Sequence, residues 1–541
     1  MSKMKISFSK EWLLVIIWSV LVIFLANIPY IYGYLLSTPE KMFLGDARSF
    51  LDTNTYLAWM HQAEDGHVLF KNIYTTEPHS RIFLHPLFLL LGNISRVSGF
   101  SLVAVHSWAR IIFGFLLLLF IYVFVSYFVE DRFRRFFSFV IVSLSGGFAW
   151  LRFFPSIDRI PEAWFLTGWS EGNTFLTIYA LPLFSLATLM LLASFYFLLR
   201  SFEENKTKYA VYGGVIAFFL ILDHSYDVLI VYPVIALYVL SRFFVERKTS
   251  HFKNYLQKTG IFLALSLPAA VYDFASILLN PVFREWAFEA SVTLSPHFIW
   301  YLGFFGFLSI LSVAGILNVI SDSEHPLFFR RLFLVVWAFS VPFLIYLPFK
   351  FQRRLIEGVH VPISILSVLG ILFLLQKFEW KKKWAVPVFV LLLIPGNFTP
   401  LIRDMSYLKQ NVSRESVAGF LDKDIYSALK WLEEKTERED IVLADYEIGN
   451  YVPALSGNTV YIGHSPETMD FWGKWAKVKN FFHKDSSDAY RKEFLKTEGI
   501  TYLTYTWREK KLGAFDPEKA PYLEPVYRNK TVTIFKVHLG E

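Results

Sequence analysis

Residues 12–34 read Trp-Leu-Leu-Val-Ile-Ile-Trp-Ser-Val-Leu-Val-Ile-Phe-Leu-Ala-Asn-Ile-Pro-Tyr-Ile-Tyr-Gly-Tyr. Shortly after them the chain turns polar with Gly45-Asp46-Ala47-Arg48-Ser49-Phe50-Leu51-Asp52-Thr53-Asn54-Thr55-Tyr56. The first stretch is uncharged and has the length, about 20 residues, that a helix needs to cross a bilayer. It is longer than the apolar core of a cleavable leader, and no Ala-x-Ala pattern follows it, so it reads as a retained span. The second opens an outer loop, residues 35–100, in which acids, aromatics and histidines gather. Thr75-Thr76-Glu77-Pro78-His79 and Leu84-His85-Pro86-Leu87 lie further along it.

The rest of the chain continues in the manner of the first span. It is 54% hydrophobic and 19% aromatic with only 18% charged residues, a composition that a soluble core cannot hide. Spans are expected near 12–34, 101–128, 136–154, 176–199, 209–223, 226–241, 259–280, 297–320, 332–349, 359–376 and 384–398, about eleven in all. Residues 83–97 are apolar but too short to cross, and are expected to lie along the interface or to re-enter.

Basic residues collect in alternate connections: Lys3, Lys5 and Lys10; Arg132, Arg134 and Arg135; Arg200, Lys206 and Lys208; Arg242, Arg247, Lys248, Lys253 and Lys258; Arg330 and Arg331; Lys377, Lys381, Lys382 and Lys383. By the positive-inside rule these connections are cytoplasmic. The expectation is a multi-pass plasma-membrane protein with a cytoplasmic N-terminus and with the Asp52 loop and the C-terminal region outside. The net charge of +7 is then a topological signal and not a sign of nucleic-acid binding. The absence of Cys excludes disulfides, thiolate metal sites and a cysteine nucleophile.

Beyond Pro400 the character changes. Lys and Glu become dense, a helical pattern covers Asp424 to Lys435, and β-like runs occur at 441–443, 459–462, 500–505 and 532–537. The predicted fold is a polytopic α-helical membrane protein with a C-terminal extracytoplasmic α/β domain. Its membrane module covers 1–400, including the loop 35–100, and its soluble domain covers 401–541.

Candidate chemistry lies among the polar groups on the outer side. Asp52, Tyr56 and Trp59 share one face if their stretch is helical, so Asp52 either caps a juxtamembrane helix or stands free as a general base. Glu77 and His79 flank a Pro and belong either to a turn or to a binding site. Glu171 lies in Ser170-Glu171-Gly172-Asn173, ahead of the fourth span, where a helix start is the simpler reading. Asp223 and His224 open the tight turn Asp223-His224-Ser225-Tyr226-Asp227, at a depth where ionisable groups are costly and favour a functional role. Arg353, Arg354 and Glu357 break the inside-positive pattern on the outer side. The two arginines suit a phosphate, or else snorkel to lipid headgroups. Arg110 and Asp273 fall inside spans and face the bundle interior, there to satisfy one another or backbone carbonyls.

Several familiar patterns are missing. The chain has no phosphate-binding Gly loop ending in Lys-Ser or Lys-Thr and no His-Glu-x-x-His, so nucleotide hydrolysis and zinc proteolysis lack support.

From Asp52 to about Phe128 the chain resembles the start of the GT-C glycosyltransferases, notably their protein-mannosyltransferase and lipid A aminoarabinose transferase branches. Those enzymes follow a first span with an Asp and a Tyr four residues on, a Gly, a Pro-led interfacial helix, a Gly turn, and an Ala-Arg pair entering the next span. The matching residues are Asp52, Tyr56, Ala58, Gly66, Glu77, Pro78, His85, Pro86, Leu87, Phe88, Gly99, Ala109 and Arg110. Two departures are Thr53, where many relatives carry a second acid, and His85, where Lys or Tyr is usual before the Pro.

The resemblance implies an inverting transfer of a sugar from a polyprenyl-phosphate-linked donor to an acceptor hydroxyl on the outer face. The acceptor could be a glycan, a lipid or a protein. Asp52 would be the base, no metal or other cofactor would be required, and the partners would be the donor and membrane lipids, not nucleic acid. Arg353 and Arg354, with His224, are candidates for the donor phosphate. Tyr56, Glu77, His79, His85, Glu171, Asp223 and Glu357 complete the set of donor or acceptor contacts.

Other readings remain. An oligosaccharyltransferase shares the architecture but should carry paired acids for a metal and a Trp-Trp-Asp motif, which Trp472-Gly473-Lys474-Trp475 does not match. A transporter or flippase of lipid-linked sugars should show related halves and broken helices at matching positions. A non-catalytic scaffold should tolerate alanine at Asp52.

Overall fold

A computed structural model describes residues 10–247, 249–379, 382–414 and 416–540. Lys3, Lys5, Lys248 and Lys381, which bear on the topology, lie outside the described residues. Among those described, eight helices are long and apolar enough to cross a membrane: Lys10–Leu35 (α1), Leu102–Phe128, Arg132–Phe153, Pro182–Glu204, Ser225–Glu246, His251–Leu279, Gln352–Lys377 and Pro387–Val412. Phe298–Phe305 and Phe307–Ser321, bent by 87° at their break, make a ninth if taken as one span. The chain is a multi-pass membrane protein.

About eleven spans were expected, and the two not counted are helices of 17 residues each, Thr207–Asp223 and Phe328–Leu344. Each is about 26 Å long, slightly short of a hydrocarbon core of about 30 Å. The polar turn Asp223–Asp227 follows the first, and the second ends at Leu344, shortly before Pro348.

The chain divides into two compact units that differ from a simple split at residue 400. The first comprises Met1–Pro29, Trp108–Asp273 and Thr293–Asp404. The second comprises Tyr30–Ser107, Phe274–Val292 and Met405–Glu541. The outer loop thus groups with the C-terminal region. The reason is hydrogen bonding: β1 (Lys41–Phe43) pairs antiparallel with Phe420–Asp422 (β2), so two segments far apart in sequence share one ladder.

In the first unit, small residues let helices approach closely. A side chain at Gly370 would strike Leu311 O and come within 2.7 Å of Gly315 N, which joins Phe307–Ser321 to His360–Lys377 along a glycine seam. Arg110 donates to Asn27 Oδ1 at 2.7 Å and to Tyr179 O at 3.5 Å, while Asp273 hydrogen-bonds Ser225. The two charged side chains inside spans are thus each satisfied by polar neighbours.

In the second unit, α2 (Phe50–Glu64) and α3 (Pro86–Ser98) cross where Gly92 leaves no room for a Cβ, 2.6 Å from Ala63 Cβ. α3 starts on Pro86 and ends at Gly99 in the left-handed conformation that glycine tolerates. Leu90, Ile94 and Val97 stand exposed at helical spacing on it, as an interfacial helix requires.

The C-terminal sheet runs β4-β3-β5-β7-β6, with β3 (Ile441–Leu443), β4 (Thr459–Val460) and β5 (Ile500–Tyr505) parallel. β6 (Leu523–Arg528) and β7 (Thr533–Val537) are antiparallel. Leu443, Leu503 and Phe535 from the sheet, and Val478, Phe481 and Leu495 from its helices, form the core.

Candidate functional site

The outer loop begins with a device that starts α2. Asp46 accepts hydrogen bonds from Arg48 N at 2.7 Å, Ser49 N at 2.8 Å and the Thr53 hydroxyl, so this carboxylate ties the turn that leads into α2 to its first turn. Asp52 lies in the first helical turn with its side chain 57% exposed, and its Oδ1 is 3.5 Å from His464 Nε2. The Asn54 side chain bonds that of Asn450. Tyr74 Oη donates to Asn450 O at 3.0 Å, which holds α2 against the helix Tyr446–Leu455.

The other loop residues divide by role. Tyr56 stacks on Phe88 at 4.7 Å and lies 5.7 Å from Trp59, as the shared helical face requires. His85 is buried among Phe83, Trp59 and Phe88, 4.4 Å from the last, so it packs an aromatic cluster. His79 Nδ1 donates to Glu77 O at 2.7 Å and its Nε2 accepts from Asn72 N at 3.0 Å, which defines the neutral Nδ1–H tautomer. Burial lowers its pKa further, and its role is to pin the turn.

Glu77 pairs with Lys474 Nζ at 2.8 Å and accepts from the Thr75 hydroxyl. Burial would raise this carboxyl, but the Lys474 and Thr75 hydrogen bonds outweigh it and hold the pKa below the ordinary value. Lys474 is itself buried, which pulls its ammonium down. In Glu467, burial pushes the carboxyl up to about 7, with His464 opposing and Asp52 reinforcing the shift.

In the first unit, three polar groups that are distant in sequence converge. Gly358 N donates to Glu171 O at 3.2 Å, and His224 Nδ1 lies 3.2 Å from Asp227 Oδ2. Asp223 ends the helix before that turn. Arg353 lies over the Trp169 ring at 3.5 Å and the Trp164 ring at 4.6 Å, while Arg354 lies over Tyr226 at 4.9 Å. Glu357 is fully buried and its carboxylate accepts from the Thr188 hydroxyl, so it is an interior group and not a surface contact. Burial raises the Glu171 carboxyl, and the Arg354, His224 and Arg353 charges oppose that rise; His224 and Arg354 both lie against the Tyr226 ring, at 5.7 and 4.9 Å.

Thus Glu171, His224, Arg353 and Arg354 gather in the first unit, and Asp52, Tyr56, Glu77, His79 and His85 lie in the second. Among the described residues, no group of three or more His, Asp or Glu side chains could hold a metal ion. Sequence reasoning missed His464, Glu467 and Lys474. A signal existed: His464 and Glu467 sit in the loop just past β4, and such loops at the carboxyl ends of parallel strands are where ligands meet open α/β sheets.

No family model matches the chain, and no curated protein does. Solved structures do. The apo oligosaccharyltransferase of Archaeoglobus fulgidus superposes with a TM-score of 0.59 at 14% identity, over 96% of this chain and 73% of that one. The same organism's AglB, in complex with an inhibitory peptide and a dolichol-phosphate, gives 0.53 at 13% identity, over 90% and 69%. ArnT of Cupriavidus metallidurans bound to undecaprenyl phosphate gives 0.50 at 12% identity, over 96% and 98%. The chain has the fold of the GT-C membrane glycosyltransferases.

Proposed function

With the GT-C fold as premise, we propose that this protein is an inverting glycosyltransferase moving a sugar from a polyprenyl-phosphate-linked donor to an acceptor hydroxyl on the outer face of the membrane. The observation that carries the reading is Asp52, an exposed carboxylate in the first turn of α2, directly after the first span. A hydroxyl attacking a glycosyl phosphate needs a base beside it, because it must lose its proton as its oxygen bonds to the anomeric carbon. Direct displacement from the face opposite the phosphate inverts that carbon. The bond to phosphate breaks with its electron pair, and the lipid phosphate leaves.

The departing phosphate needs fixed positive charge. Arg353 and Arg354 are proposed for it, with His224 beside Glu171 as a further contact. The stacking of Arg353 on Trp169 orients a guanidinium fork suited to phosphate oxygens. With arginines in that role, transfer proceeds without a metal ion. Glu77, held ionised by Lys474, is the proposed acceptor-side acid.

The test is transfer of radiolabelled sugar from a panel of polyprenyl-phosphate sugars by purified protein in detergent. Asp52→Asn is expected to lower turnover by about two to four orders of magnitude while leaving folding intact. Normal turnover by the variant removes Asp52 from the mechanism, and no transfer with any donor rejects the reading. A second reading, transfer of a whole oligosaccharide, is favoured by the match to the oligosaccharyltransferase fold. It predicts activity with oligosaccharide donors and acceptor peptides in place of monosaccharide phosphates.

A further inference from the structure

The loop at 463–468 is a tight turn fastened at both ends. Glu467 N and Thr468 N donate to His464 O at 3.0 and 2.9 Å, and Gly463 N donates to Thr468 Oγ1 at 3.1 Å. Thr468 Oγ1 in turn donates to Tyr74 O at 2.9 Å, and Asn72 Nδ2 donates to Glu467 O at 2.7 Å. The backbone of this loop is therefore pinned to residues 72–74, and the imbedded imidazole is buried with little freedom.

That imidazole meets α2 with both nitrogens. Nε2 lies 3.5 Å from Asp52 Oδ1 and Nδ1 lies 3.4 Å from Thr55 Oγ1, although residues 55 and 464 are 409 positions apart. Asp52 and Thr55 are three residues apart on one helical face, so a single ring reaches both. Among the described residues, Glu467 on the same loop and the Tyr74 phenol, whose ring lies 6.2 Å from that of His464, also face the pair. Burial keeps Tyr74 protonated and pushes the carboxyl of Glu467, which Trp286 hydrogen-bonds, up to about 7.

We propose that His464 is a positioning residue for the Asp52 carboxylate: it fixes which oxygen meets the acceptor hydroxyl and, when protonated, holds the group ionised. The inference rests on the reading of Asp52 as the base. In the transfer step the acceptor proton passes to Asp52 as the new carbon–oxygen bond forms, and the bond to phosphate breaks with its electrons on the phosphate. His464 gains and loses nothing in that step. Its contribution is electrostatic, because an opposite charge within about 4–6 Å lowers a carboxyl pKa by about 1–3 units.

His464→Gln keeps a hydrogen-bond donor but removes the charge, and the loop's fastenings, which are backbone atoms and the Thr468 hydroxyl, survive it. Wild type, Asp52→Asn and His464→Gln, each as the full chain in detergent, are compared for kcat and KM with the polyprenyl-phosphate sugar that wild type uses. In His464→Gln, kcat is expected to fall about tenfold with KM unchanged. The acid limb of the rate profile should move up by about one pH unit, because Asp52 then keeps its proton to higher pH.

An unmoved acid limb overturns the inference, whether or not kcat falls, since a merely structural role would lower the rate without moving the limb. If Asp52→Asn is inactive in that same experiment, the glycosyltransferase reading stands and only the role of His464 fails. No transfer by wild type rejects both. Should His464→Gln not fold, His464→Asn in the same assay decides.

Discussion

Two carboxylates close to one imidazole carry opposite burdens. Asp52 has a half-exposed side chain, whereas Glu467 is buried and its carboxyl is raised from an ordinary 4.5 to about 7. A raised acid is protonated more readily in the folded chain than in the unfolded one. Below its ordinary pKa it does not weaken folding, and between about 4.5 and 7 stability falls as pH rises. The loss reaches about 3 kcal/mol above that window. Glu467→Gln is therefore expected to raise the thermal unfolding temperature at pH 8 and to leave it unchanged at pH 4. An equal effect at both pH values would show that the carboxyl is not raised. Sequence patterns singled out Asp52, Glu171, Arg353 and Arg354 as candidates because an acid or a pair of arginines is conspicuous among apolar runs. They did not identify His464, Glu467 or Lys474, since nothing local distinguishes these side chains from an ordinary polar domain.

Helices were easier to read than strands. Each of the eight long apolar helices among the described residues overlaps a predicted span, because one side-chain property repeated over about 20 residues leaves little choice in lipid. In the C-terminal sheet, β3, β5 and β7 lie where β-branched and aromatic runs predicted them. β6 was missed because Pro525 interrupts it, and the strand runs at the sheet edge with a bulge between Pro525 and Tyr527. β1 and β2 were missed because three residues carry no periodic signal. At the same scale, the glycine seam between Phe307–Ser321 and His360–Lys377 is a demand of packing. Gly370→Val would force a side chain into Leu311 O, and is expected to destabilise the protein by about 3 kcal/mol. The check is the yield of monodisperse protein and its thermal unfolding in detergent. A wild-type profile would show that the two helices are not in close contact.

For the molecule as a whole, the orientation proposed from where Lys and Arg collect is simple to measure, because the chain is cysteine-free. With an impermeant maleimide on intact cells, Asp485→Cys in the C-terminal domain is expected to react, and Arg134→Cys in a basic connection is expected to react only after lysis. The reverse pattern would invert the proposed topology. Transfer is also expected to persist in excess EDTA, as arginine-based phosphate binding requires. Loss of turnover restored by a divalent cation would overturn metal independence.

By itself the sequence determined the membrane class, the helices, an α/β tail and the candidacy of Asp52, because hydrophobic run length, charge asymmetry and a short ordered motif are all local properties. Tertiary structure alone decided that residues 30–107 share a unit with the C-terminal region, through the β1–β2 ladder and the Asn54–Asn450 contact. It also decided that His464 stands beside Asp52. Such pairings join residues hundreds of positions apart, and they depend on how whole elements close their hydrogen bonds and fill their cores, which no window along the chain contains.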